Sequence, residues 1–222
     1  MKKVFCVIVL IICMFMVCGC DDSANIVLNN MSDLRINYFE GKNEIFYANL
    51  SCGYREENFA YDGESTCPIE CGVLSFGYFE YCSYNSIEVV LDINGNKYNF
   101  ILEKSPYEEV YMVDIEQILN KDDEIYINLK NQNEKIQLNN ASSNWAVNYR
   151  KAIDIASEYF IDTINNLYFN GQFNAECYLK IISKIDYENK YWYFSIIDET
   201  GETYSCMIDI NSGEVITSVE LK

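Results

Sequence analysis

The chain has 222 residues, half of them hydrophobic, with 34 acidic against 16 basic side chains and a formal charge of −18. That supports a packed core in one large or two small domains. The shortage of clustered Lys and Arg excludes nucleic acid as a partner, and excludes the protein surface as a binder of anionic lipid headgroups. There is no histidine, which rules out a Ser-His-Asp or Cys-His relay, a His-ligated zinc enzyme and an imidazole acid or base near neutral pH. The carboxylates are scattered and mark no catalytic pair, so neither an enzyme nor a cofactor is expected.

Residues 1–22 read MKKVFCVIVLIICMFMVCGCDD. Lys2 and Lys3 lead an apolar run from Val4 to Val17, shorter than the ~20 residues that span a bilayer, as in the h-region of a secretory signal. The closing Val17-Cys18-Gly19-Cys20 resembles a bacterial lipobox, in which the cysteine takes a diacylglyceryl thioether and becomes the mature N-terminus. The resemblance implies a signal peptide over 1–19 and a lipid on Cys20 that anchors the protein to the membrane, on the outer face of the cytoplasmic membrane. Two prolines, few arginines and many Asn, Ile and Tyr suggest an AT-rich genome of the Gram-positive kind. Residues 20–33, polar and Asn-rich, are expected to form a short tether.

From 34 to 138 the pattern is short alternating runs between turns. Leu34-Arg35-Ile36-Asn37-Tyr38-Phe39 and Ile45 to Leu50 flank Gly41-Lys42-Asn43. Ile87 to Ile93 meets Asn94-Gly95 before Tyr98 to Leu102, a strong hairpin signal. Further runs lie at 110–115, 124–129 and 135–138. Strands so spaced, with no long helix, suggest an all-β immunoglobulin-like sandwich. This part resembles lipoproteins of Gram-positive bacteria, which implies no activity.

Four cysteines in it, Cys52, Cys67, Cys71 and Cys82, lie within 31 residues. Export permits disulfides among them, and Cys52 with Cys82 would join strand ends. Free thiols are the second reading. A four-cysteine zinc site is the third, with only one of the two close pairs such sites use. The Tyr-rich stretch 53–84 mixes aromatics with charges, as a sugar- or peptide-binding loop region does.

Residues 139–144, Asn-Asn-Ala-Ser-Ser-Asn, mark a linker, after which the period changes. Trp145, Tyr149, Ala152, Ile153, Ala156, Phe160, Ile164 and Leu167 recur at helical steps and predict one long helix ending near Asn170-Gly171. Three strands follow, near 176–185, 191–197 and 204–210, giving an α+β domain over 145–222 with the helix on a three-stranded antiparallel sheet. The aromatic middle strand Tyr191-Trp192-Tyr193-Phe194, with Asp209 and Gly213-Glu214-Val215 after it, resembles a PepSY domain. That family implies a small noncatalytic module, found in peptidase propeptides and exported lipoproteins, with an envelope protein or peptidase as partner. With Trp192 and Phe194 turned to the helix, Tyr191, Tyr193 and Ile197 share the opposite face and are the candidate interface.

Overall fold

The computed structural model describes residues 22–57, 68–106, 109–117, 119–130, 135–183 and 189–221. Cys20 and Cys67 lie outside them. The first part of the chain is a barrel. Its strands are β1 (Met31–Lys42), β2 (Phe46–Glu56), β3 (Pro68–Tyr78), β4 (Ser86–Ile93), β5 (Asn96–Lys104), β6 (Tyr111–Ile115), β7 (Ile125–Leu129) and β8 (Lys135–Asn140). They are joined in the order β1-β2-β3-β6-β5-β4-β7-β8, and β8 returns to β1 through Phe39↔Asn140 and Glu40↔Asn139. All eight contacts around this ring are antiparallel.

The expected immunoglobulin-like sandwich is therefore wrong: β8 closes back on β1, and features within β1 and β2 let the strands bend to do so. Closing a sheet on itself needs sharply bent strands. β1 slips register between Arg35 and Asn37, as a bulge does. Two glycines let backbones press together at the bends. A Cβ at Gly41 would stand 2.2 Å from the Gln137 carbonyl oxygen, and one at Gly53 only 1.9 Å from that of Leu34. The interior is filled by side chains, among them Phe39, Phe46, Leu50, Leu74, Phe76, Leu91, Leu102 and Ile127. Phe46 and Phe76 stack with ring centres 4.7 Å apart. Leu119 is buried in the same core, and its carbonyl accepts from Asn37 Nδ2 at 2.8 Å.

The rest of the chain builds a second core. It comprises α1 (Asp22–Asn29), α2 (Tyr149–Tyr159), α3 (Ile161–Leu167), a small hairpin of β9 (Tyr168–Phe169) and β10 (Gln172–Phe173), and the strands β11 (Ala175–Ser183), β12 (Lys190–Asp198), β13 (Thr203–Asp209) and β14 (Val215–Leu221). The single long helix and three-stranded sheet expected here are corrected on both counts. Phe160 leaves helical geometry (φ −101°, ψ 25°) and splits the helix into α2 and α3, while Phe160 and Ile164 both stay buried. The antiparallel sheet has four strands, β14 lying against β13. Asn170 and Gly171, expected to stop the helix, instead turn the β9–β10 hairpin with φ of 52° and 83°.

Residues 22–33 are not a tether in this structure. Val27 of α1 and Met31 at the start of β1 are buried in the second core. β1 also pairs in parallel with β11, through Met31↔Cys177 and Leu34↔Leu179. One twelve-stranded sheet thus runs through both parts. Residues 139–144 are tied to β1 as well: Ala141 N–H donates to the Tyr38 carbonyl at 2.9 Å, and Tyr38 N–H to Ser142 Oγ at 3.0 Å. Among the described residues no helix is long and apolar enough to cross a membrane.

Candidate functional site

β1 leaves the barrel wall to join β11, and an angle opens between the outer face of β2, β3 and β6 and the outward face of the C-terminal sheet. Residues two apart on a strand share a face, so Asp33 and Arg35 both turn into this angle. They form a buried side-on pair, with Arg35 Nε 2.8 Å from Asp33 Oδ1 and Nη2 donating to Oδ2 at 3.0 Å. Lys180 Nζ on β11 lies 3.5 Å from the same carboxylate. Arg35 Nη1 reaches the Ser51 carbonyl at 3.5 Å and the Cys71 thiol at 3.4 Å. Arg55 pairs with Asp114 at 3.2 Å.

The chain holds three arginines in all, and two of them line this groove of about 440 Å³. Its lining mixes Asn49, Ser51 and Ser75 with Val73, Val110 and Met112. That volume and mixture of lining suit a small ligand or a short segment of another chain. At the far lip Tyr38 Oη and Ser183 Oγ share a hydrogen bond of 2.6 Å. Burial holds the Tyr38 hydroxyl far above its ordinary range, so it is a neutral donor or acceptor.

Lys180 and Ile182 continue from the groove onto the sheet face. There the cross-strand register puts Tyr193 between Lys180 and Met207, and Tyr191 beside Ile182. Tyr191, Tyr193 and Ile197 are half-buried, and Trp192, Phe194 and Ile196 are fully buried on the opposite, helix-covered side. Trp192 Nε1 donates to the Val147 carbonyl at 2.8 Å, and its ring meets Trp145 edge-on. The same face runs outward past Ser205 and Thr203 of β13 to Val219 and Leu221 of β14, where Leu221 is 61 % exposed.

The described cysteines are free thiols and point three ways. Cys52 faces the barrel interior, 3.8 Å from the Leu119 carbonyl oxygen. Its neighbour strand carries Cys71 opposite Gly53, on the other face of the wall. Cys82 follows β3 at the end of the barrel where Phe46 pairs with Tyr78, six residues along β2 from Cys52. Burial pushes the Cys52 thiol up to about 11 and raises that of Cys71, where the Arg35 guanidinium opposes the rise. Both are protonated thiols at neutral pH, which makes them poor nucleophiles.

The groove itself was not read from the sequence. The available signal was a charged pair, Asp33 and Arg35, two apart beside the alternating Leu34 and Ile36 in an arginine-poor chain. No protein-family model, curated protein or solved structure matches the chain.

Proposed function

We propose that this chain is a lipid-anchored protein of the bacterial envelope, held through Cys20, that acts by binding and not by catalysis. The binding surface is the outward face of β11–β14, from Ile182, Tyr191, Tyr193 and Ile197 to Met207, together with the groove at its margin. One observation carries this reading. All three helices contribute to the core on the Trp192 side, so the second face of the sheet keeps half-buried Tyr191, Tyr193, Ile197 and Met207, with Tyr178 and Ser195 buried among them, next to a groove lined by hydroxyl, amide and guanidinium groups. Mixed surfaces of this kind, with Tyr and Met at the centre and polar groups at the rim, recur at protein interfaces. The partner class implied by the C-terminal resemblance is an envelope peptidase.

The test is recovery of partners from intact cells with the wild-type chain and with Tyr191→Ser/Tyr193→Ser, alongside thermal unfolding of both. Loss of a partner at unchanged melting temperature supports the interface. A fall in melting temperature with the same partners retained would make these tyrosines structural. For the anchor, Cys20→Ser is expected to abolish lipid labelling, and normal labelling of that variant would refute it.

A further inference from the structure

A second recess lies at the Tyr78 end of the barrel, where Glu109 and Tyr111 line it and the intervening Val110 and the next residue Met112 line the groove. The recess holds about 240 Å³ and is lined by Tyr78, Phe79, Tyr81, Tyr111, Glu80 and Glu109, with Cys82 at its base. The floor is built: Tyr111 is buried, donates to the Tyr84 carbonyl at 2.9 Å and meets Tyr78 edge-on at 6.2 Å. The rim is open, with Tyr81 81 % exposed and Phe79 44 %. Together the two rings keep apolar area in water beside two carboxylates, area that a bound group can cover.

The chain's own chemistry indicates what such a recess accepts. The Lys104 ammonium leans against it, 5.3 Å from the centre of the Tyr81 ring, 2.6 Å from Glu109 Oε2 and 3.5 Å from the Cys82 carbonyl oxygen. A cation between ring faces and a carboxylate is attracted by both the ring quadrupole and the charge. An anionic ligand would meet Glu80 and Glu109 in a chain of −18. A purely apolar ligand would gain nothing from the two carboxylates at the rim. A methylated ammonium satisfies rings and carboxylates together, and gives up its weak hydration readily.

We propose that this aromatic recess binds a quaternary or methylated ammonium group, with Tyr81 supplying the ring face, Tyr78 and Phe79 the apolar wall, and Glu80 and Glu109 the countercharge. Lys104 then acts as an internal competitor at the rim.

The experiment is calorimetric titration of the full chain with choline at constant ionic strength. It is set against 3,3-dimethylbutan-1-ol, in which carbon replaces the charged nitrogen at the same shape. Choline is expected to bind at least about tenfold more tightly than the neutral isostere. Tyr81→Ala should weaken choline by about tenfold and Tyr81→Phe by less than about threefold. Lys104→Ala should tighten it. Tyr81 is exposed, so thermal unfolding of its variants should match wild type and exclude misfolding. Equal affinity for the isostere, no binding of choline, an unchanged Tyr81→Ala, or weaker binding by Lys104→Ala would each overturn the proposal.

Discussion

The barrel fills its inner face with side chains and brings β8 back to β1, whereas the C-terminal sheet covers one face with three helices and keeps the Tyr191, Tyr193 and Met207 part of the other face half-exposed and the β14 edge outward. Both solutions bury large aromatic and branched residues, Phe46 and Phe76 in one and Trp192 and Phe194 in the other. They differ in what is left over. A closed ring of eight strands has just enough interior for packing, so ligand chemistry on the barrel is confined to its outer wall and its ends. An open sheet retains a face, and with it the capacity for an interface. β1 joins the two, pairing with β8 at Phe39 and Glu40 and with β11 at Met31 to Leu34.

The largest effect is expected at Trp192. Its Ala variant should lose about 3–5 kcal/mol, the range for a buried aromatic, together with the hydrogen bond to the Val147 carbonyl. Urea unfolding followed by far-ultraviolet dichroism measures the loss, and a value under about 1 kcal/mol would mean that the helix-covered face is not the core of its half.

Next in size is Arg35→Met, which leaves Asp33 buried without its guanidinium partner. The expected cost is about 3 kcal/mol. The double variant Asp33→Asn/Arg35→Met should recover much of it, because the penalty lies in a buried charge left with only the half-exposed Lys180 at 3.5 Å. Additive losses in that cycle would show that the pair does not act as a unit at the junction.

Alkaline pH separates the two cores more finely. Burial lifts the Cys52 thiol of the barrel to about 11 and the Cys206 thiol of the sheet to about 12, from an ordinary 9.0. A folded-state rise favours the protonated thiol, so this stabilisation is complete below pH 9 and is lost as pH climbs toward those values. The slope is about 1.4 kcal/mol per pH unit per thiol. Cys52→Ala should flatten the slope seen by barrel probes and Cys206→Ala that seen by sheet probes. A common slope unaffected by either substitution would contradict the burial of these thiols.

The smallest effect concerns the turn between β13 and β14. Asp209 Oδ1 accepts from the Ser212 and Asn211 backbone N–H groups at 2.7 and 2.9 Å, which holds its carboxyl below the usual range. Asp209→Ala should cost about 1 kcal/mol. In wild type this contribution is present above the ordinary carboxylate range and fades as pH falls through it. Equal acid sensitivity of the variant and wild type at this turn would refute the contribution.

The sequence made some of this legible and hid the rest for physical reasons. Ile87, Val89, Leu91 and Ile93 alternate before Asn94-Gly95, and the structure buries all four and turns at φ of 52° and 85°. Trp192, Phe194 and Ile196 were readable in the same way, because a two-residue period fixes which side faces a core. β3 was hidden. Pro68, Gly72 and Gly77 interrupt its alternation, although Leu74 and Phe76 are fully buried. Without that strand the remaining runs suit a sandwich as well as a barrel. Closure by Phe39↔Asn140 spans a hundred residues of chain, which no local pattern reports. α1 was hidden by its Asn and Asp, with Val27 the buried anchor of a polar-looking segment. β14 lies on the edge, and its mostly exposed residues give no alternation. Asp33 and Arg35 were visible as residues, but their meeting with Lys180 depends on the parallel pairing of β1 with β11.

The most direct measurement of this division of labour is photo-crosslinking in intact cells. A crosslinking residue placed at Tyr193, on the open sheet face, is compared with one at Tyr126, on β7 across the barrel from that face. A scaffold barrel carrying a binding sheet requires adducts from position 193 and none from 126. Adducts from 126 with none from 193 would contradict it and move the interface to the barrel wall.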